Sequence, residues 1–202
     1  MFAELLAERL RGVAELSQGQ VGALAAHYDL LARWNKVLNL TAVRTPEEAV
    51  ERHYCESVFL GAHLPPGPLA VADIGSGAGF PGIPVAILRP DCRVALIESH
   101  QRKAVFLREA SRGLANIEVV ARRAEVVEGV YGWAVSRAVK AIDIAAVLSR
   151  MAENVALLAG EERPDAASIA WEEPIRLPWG ERRFLWIGRT VSRGTRCGTS
   201  SK

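Results

Sequence analysis

Apolar residues in the first 60 positions recur at helical spacing. Leu5, Leu6, Leu10 and Val13 form one such stripe, the three-and-four repeat that lines one face of an α-helix. A second stripe, Val21, Leu24, Tyr28, Leu31 and Trp34, follows Ser17-Gln18-Gly19-Gln20, which has the form of a reciprocal N-terminal cap. Thr45-Pro46-Glu47-Glu48 predicts another helix start, since proline's fixed φ suits the first helical position and Glu48 completes a second capping box. From Leu69 the pattern changes. Short apolar runs near 69–74, 93–98, 117–121 and 133–136 alternate with amphipathic stretches near 82–88, 100–113 and 141–150. That alternation builds a parallel sheet covered on both faces. Two late runs, 155–158 and 184–187, with Ile169-Ala170-Trp171 between them, would finish the sheet, the last as an antiparallel partner. The pattern predicts an α/β fold: a mostly parallel twisted sheet with helices on both faces over residues 63–190, a helical extension over 1–62, and a basic, disordered tail over 191–202.

At the end of the first strand stands Asp73-Ile74-Gly75-Ser76-Gly77-Ala78-Gly79-Phe80-Pro81-Gly82. Glycines at alternate positions let a backbone turn through conformations that a Cβ forbids and bring amides against a ligand. Glu98 closes the second apolar run. A carboxylate roughly 20 residues past the glycines is placed for a ribose diol. Gly77 to Gly82 also fits the dinucleotide pattern G-x-G-x-x-G, but Pro81 and Pro84 remove amides that a pyrophosphate would need. Asp73 would repel that anion and suits a cationic ammonium or sulfonium ligand. An acidic residue ahead of three alternate glycines resembles the first motif of the Rossmann-like class I methyltransferases, and it implies S-adenosyl-L-methionine as the cofactor.

Composition narrows the rest. The chain has 202 residues, half of them hydrophobic, enough for a sizeable core. It shows neither an 18-residue apolar run nor a signal-like start, so a cytoplasmic protein without membrane contact is expected. Cys55, Cys92 and Cys197 lack metal-ligand spacing, and no metal site is expected. A net charge of +2 is only mildly basic, yet residues 101–140 carry eight cations against four acids, and no acid follows Arg182. That distribution favours a basic surface beside the pocket, with a tail that adds nonspecific phosphate attraction.

Between residues 30 and 140 the chain resembles the bacterial small-subunit ribosomal RNA guanine-N7 methyltransferases, also called the glucose-inhibited division protein B family. The blocks that carry the resemblance are Trp34 to Arg44, Arg52-His53 with Ser57, Asp73 to Pro84, Glu98, Arg102-Lys103-Ala104 with Phe106-Leu107, Arg123-Ala124-Glu125 and Val135-Ser136-Arg137-Ala138, in that order. The resemblance implies methyl transfer from S-adenosyl-L-methionine to N7 of a guanine in the decoding-centre loop of 16S ribosomal RNA, by a monomer acting on that RNA or on the small ribosomal subunit. It implies cofactor contacts at Asp73, Gly75, Gly77, Gly79, Phe80, Glu98, Ala124, Glu125 and Arg137, and RNA contacts at Asn39, Arg44, Arg52, His53, Arg102, Lys103 and Arg123. Ala159-Gly160-Glu161-Glu162-Arg163 departs from the family's Gly-Gly turn and Lys-Gly pair. A methyltransferase for a protein or small molecule, or a ribosome-binding protein without activity, stands as the alternative.

Single residues admit two readings each. Phe80 is core filling or an apolar wall, Arg137 a structural ion pair or a ligand at a strand tip, and Glu125 a surface helix start or an adenine contact. His53 is a satisfied helical histidine or a substrate contact, and Asn39 and Thr41 suit a turn. No cysteine stands beside proline for C5 transfer, and Ser136-Arg137-Ala138-Val139 replaces the Asn/Asp-Pro-Pro segment of amino-group transfer. Guanine N7 has an in-plane lone pair and needs no base, so no catalytic residue is assigned; Arg137 and Phe80 are the positioning candidates.

Overall fold

A computed structural model describes residues 1–43, 45–137 and 139–191. Arg44 and most of the tail, with Cys197, lie outside the described residues. The elements run α1 (Phe2–Arg9), α2 (Gln18–Leu38), α3 (Pro46–Ala49), a π-helical turn (Val50–Cys55), α4 (Glu56–His63), β1 (Ala70–Ile74), α5 (Gly82–Leu88), β2 (Arg93–Ile97), α6 (Gln101–Ala110) and β3 (Ile117–Val120). A 3₁₀ turn (Ala124–Val126), β4 (Tyr131–Arg137), α7 (Ala141–Met151), β5 (Ala152–Ala159), β6 (Ile169–Trp171), β7 (Ile175–Arg176) and β8 (Phe184–Thr190) complete the chain. The sheet order is β3-β2-β1-β4-β5-β8-β6, with β7 beside β8. Strands β1 to β5 are parallel and β8 runs antiparallel to β5, as the late apolar runs predict.

Period-two alternation sorts the strand residues onto two cores. Val71, Trp133 and Val135 join Leu6, Leu24, Tyr54, Ile83 and Phe106 on one face. Ala72, Ile74 and Ala134 join Ile144, Leu148 and Met151 on the other. Asp73 and Arg137, two residues beyond Val71 and Val135, therefore point to the face covered by the N-terminal helices and α5. The sheet reverses its winding beside β1, between β2 and β4, and in open α/β sheets ligands bind at the carboxyl ends of strands at such a point.

Local chemistry sets the helix ends. Ser17 Oγ accepts from the Gln20 amide at 3.2 Å while Gln20 Oε1 accepts from the Ser17 amide at 2.9 Å, the predicted capping box. The Gln20 Nε2 group also donates to the carbonyls of Ile87 and Leu88 at the end of α5. Asn39 ends α2 in the left-handed region at φ 49°, where asparagine is tolerated. Thr45 Oγ1 accepts from the Glu48 amide and Pro46 opens α3. The π-helical turn carries no sequence signal that periodicity would reveal; it inserts an extra residue ahead of α4, a distortion common at functional sites.

The helical extension packs into the same core as the sheet. Leu6 of α1 is fully buried in the cluster that holds Ile83 and Val135. Leu6→Ala should cost about 2–5 kcal/mol, the range for a leucine deleted from a core, and should shift a single urea transition of the whole chain. Loss of a separate early transition, with the main one unmoved, would show that α1 is not part of the cooperative unit.

Candidate functional site

The glycine loop leaves β1 with Gly75, Gly77 and Gly79 at φ 73°, 56° and 88°, a region that L side chains rarely adopt. Gly77 is held from the next strand: its amide donates to Glu98 Oε2 at 2.9 Å, while Glu98 Oε1 accepts from the His100 amide at 2.7 Å. Glu98 thus braces the loop and the entry to α6. Only two of its roughly four lone-pair sites are used, which leaves acceptors for a diol. Gly82 has a steric reason: a Cβ there would lie 2.3 Å from Leu96 Cδ2 and 2.6 Å from Asp73 Oδ2.

Asp73, expected to contact the cofactor, lies beneath the loop. It is 0% exposed; Oδ2 accepts from the Gly82 amide at 3.0 Å at the start of α5. The alternation that aims it at the helical face drives it beneath the loop. Its Oδ1 is buried without a hydrogen-bond partner, an orphaned acceptor that fits a cationic ligand above it. Burial pushes the carboxyl up to about 7, opposed by the Gly82 amide.

A histidine that the sequence does not single out anchors the loop from α2. His27 Nε2–H donates to the Ala78 carbonyl at 3.1 Å. Its Nδ1 must then accept, and Tyr54 Oη–H donates to it at 2.9 Å. Burial pushes this ring down to about 4, so it stays neutral. Phe80 meets His27 and Tyr54 edge-on and stacks on His53 with centroids 4.6 Å apart. At 5% exposure it satisfies the core reading and forms the floor under the loop.

His53 is buried at 6% exposure and both ring nitrogens are occupied. The Arg137 guanidinium donates through Nη1 to Nδ1. Nε2 therefore carries the hydrogen and donates to Thr41 Oγ1 at 2.7 Å. Thr41 is fixed in turn by two bonds with the Asn35 side chain, and its hydroxyl accepts from the Val43 amide. Burial, with Arg137 acting the same way, pushes His53 down to about 3. Of its two readings, the satisfied helical histidine is the one that this enclosure matches, and the ring backs the site from behind Phe80.

Arg137 does sit at the tip of β4, 11% exposed in its side chain, with Nε 3.4 Å from Glu56 Oε2 but unaligned for a hydrogen bond. Burial lowers its guanidinium to about 10, with Glu56 opposing and Arg183 and Arg52 reinforcing, so it is charged at neutral pH. Glu56 is bound by Arg183 through two bonds of 2.9 and 2.8 Å. Neither Glu56 nor Arg183 stands out in the sequence, because their meaning lies in a pairing 127 positions apart.

The remaining expected residues spread around this edge. Ala124 and Glu125 form the 3₁₀ turn after β3, gripped by Arg150 of α7, which donates to the carbonyls of Ala124, Glu125 and Val127. Asn39, Arg52, Arg102 and Arg123 are exposed and Lys103 is half-buried; Arg52 pairs with Glu48. Cys55 and Cys92 are buried free thiols. Among the described residues no cluster could hold a metal ion, and no helix is long and apolar enough to cross a membrane.

A family described as rRNA small subunit methyltransferase G matches residues 20–163. The chain is 49% identical over 121 residues to the ribosomal RNA small subunit methyltransferase G of Dichelobacter nodosus, covering 57% of each chain. It is 41% identical over 157 residues to the protein of that name from Nitrosomonas europaea, covering 74% of this chain and 72% of the relative. The chain thus spans a little over half of the Dichelobacter protein's length. Among solved structures it shares the fold of a SAM-dependent methyltransferase from Aquifex aeolicus, with a TM-score of 0.58 at 17% identity, covering 71% of this chain and 93% of that one. A methyltransferase from Pyrococcus furiosus gives 0.56 at 15% identity, covering 84% and 98%.

Burial of Asp73 carries a pH signature. The folded chain without ligand keeps this carboxyl protonated up to about pH 7, whereas an unfolded aspartate releases its proton near pH 4. Between those values the folded state binds more protons, so this contribution to stability falls as pH rises. Urea titrations from about pH 4 to 7 should show the wild type losing stability relative to Asp73→Asn; parallel curves would mean the carboxyl is already ionised at the acid end.

Proposed function

Because the chain belongs to the rRNA small subunit methyltransferase G family, we propose that it transfers a methyl group from S-adenosyl-L-methionine to N7 of a guanine in the decoding-centre loop of 16S ribosomal RNA. The observation that carries this reading is one juxtaposition. The glycine loop, with the orphaned Asp73 oxygen beneath it, shares a sheet edge with Arg137, Phe80 and His53. The cradle would be Gly75, Gly77 and Gly79, with Glu98 toward the ribose, Asp73 toward the cationic end, and Ala124 and Glu125 toward the adenine. The bound group would supply an electrophilic methyl.

What the chain itself must do is bind, orient and exclude water. Guanine N7 presents a lone pair without losing a proton, so the reaction asks for no general base. His53 suits that chemistry: its Nδ1 lone pair is taken by Arg137 and its Nε2–H by Thr41. Alignment of two bound groups is worth up to about 7–11 kcal/mol in the best cases. N7 lies in a deep, narrow groove of A-form RNA, so the target is best reached in a loop or on an extruded base. Arg52, Arg102, Lys103 and Arg123, with Asn39, are the candidates for the RNA around it. The reading carries with it a monomeric, cytoplasmic enzyme.

Labelled cofactor incubated with small ribosomal subunits from cells lacking the modification should place the label at a single guanine N7. Label recovered in protein would replace this reading with a protein methyltransferase. Alanine at Arg102, Lys103 or Arg123 should raise KM for RNA, leave cofactor affinity nearly unchanged, and reduce the salt slope of binding by somewhat under one unit per lost phosphate contact. Salt-insensitive binding would contradict that placement. For the cofactor, Glu98→Gln should weaken binding by about 1.5–3 kcal/mol, the range for a hydrogen bond to a charged group; calorimetry at wild-type affinity would move the pocket elsewhere.

A further inference from the structure

Two guanidiniums converge on one buried carboxylate at the edge of the site, and they share it unequally. Arg183 approaches Glu56 side-on and takes both oxygens, Nε to Oε1 at 2.9 Å and Nη2 to Oε2 at 2.8 Å. Arg137 is left with Nε 3.4 Å from Oε2 and no aligned bond. Its Nη1 donates to His53, and among the described residues Nη2 has no hydrogen-bond partner. Arg183 is held firmly enough to win this competition. It lies just before β8, and its carbonyl accepts from the Leu177 amide at 3.0 Å, closing the hairpin with β7.

The two side chains have the same fork, so either could fill Glu56. Glu56, with its side chain 2% exposed, strongly favours a full partner, since a buried charge missing one is costly. Without Arg183, the Nε and Nη2 of Arg137 would take the two oxygens together. That movement consumes Nη2, which like Nε makes no hydrogen bond among the described residues, and pulls Nη1 from His53. We propose that Arg183 is a positioning residue for Arg137: by occupying Glu56 it keeps Arg137 from folding back onto that carboxylate and leaves Nη2 available to a ligand. The C-terminal hairpin thus reaches the site through a charge pair. Two cations on one anion also leave a single net positive charge, suited to an anionic group of cofactor or RNA. This inference rests on the placement of Arg137 in the proposed site.

The test removes the competitor, then the trap. Arg183→Gln should lower kcat about tenfold with little change in KM for RNA, the mark of an interaction made in the transition state. In the same variant the Arg137 Nε–H resonance, followed by nitrogen-15 NMR without RNA, should shift as an aligned bond to Glu56 forms. Adding Glu56→Gln removes the trap and restores the net positive charge, so the double variant should regain most of the lost rate and return the resonance toward its wild-type position. A merely structural ion pair predicts the opposite, a double variant no better than the single one. That result overturns the proposal, as does an unshifted resonance in Arg183→Gln. If Arg183→Gln does not fold, Arg183→Lys is read instead, since one ammonium cannot span both oxygens. It should show a partial loss of rate that Glu56→Gln relieves, and a wild-type rate and spectrum there overturn the proposal. A wild-type chain that methylates no RNA sinks the functional reading alone, because the resonance still decides the positioning.

Discussion

The glycine loop closes on itself through the Gly79 and Phe80 amides, which donate to the Ser76 carbonyl. It hangs from β2 by the Gly75 and Ser76 amides, which donate to the Ile97 carbonyl, and something outside it must fix its remaining polar groups. Here three side chains from separate elements do so: Glu98 holds the Gly77 amide, His27 the Ala78 carbonyl, and Asp73 the Gly82 amide. Each is 7% exposed or less, where hydrogen bonds compete little with water and an unmade one is expensive. The loop is therefore shaped before any ligand arrives. Such preorganisation lowers the ordering cost of binding. The N-terminal helices are consequently part of the site's construction: α2 supplies His27, and the π-helical turn supplies His53 and Tyr54.

Much of this was legible in the sequence because it is written locally. Apolar runs gave the strands, the Ser17 capping box gave the start of α2, and alternate glycines after an acidic residue gave the loop. Glu98 stands out from spacing alone, and its partners in the structure are the Gly77 and His100 amides. Long-range contacts left no such trace. His27 is one polar residue in a helical stripe, and nothing near it in sequence announces Ala78. Glu56 and Arg183 each look like ordinary surface charges. Burial is also hard to read locally: a strand's period of two tells which face Asp73 takes, but not that the loop and α5 close over it, and Arg52-His53 does not decide between an enclosed ring and a substrate contact.

The family match stops short of the end of the fold. The matched segment ends at residue 163, before β6, β7 and β8, yet β8 lies inside the sheet between β5 and β6. The unmatched stretch still completes the core, through Leu185 on one face and Trp186 on the other. Sequence in such a stretch can diverge while alternation is kept, because the sheet requires apolar character more than identity.

Gln20 shows how a distant partner constrains a local choice. For capping alone, glutamate would serve as well as glutamine at this position. The amide, however, also donates to the Ile87 and Leu88 carbonyls, 67 and 68 positions away, at the negative end of a helix dipole. A carboxylate there would bring lone pairs against lone pairs. The chemistry that begins one helix is thus selected by the charge at the end of another, and two helices on the same face of the sheet are locked in register by a single neutral side chain.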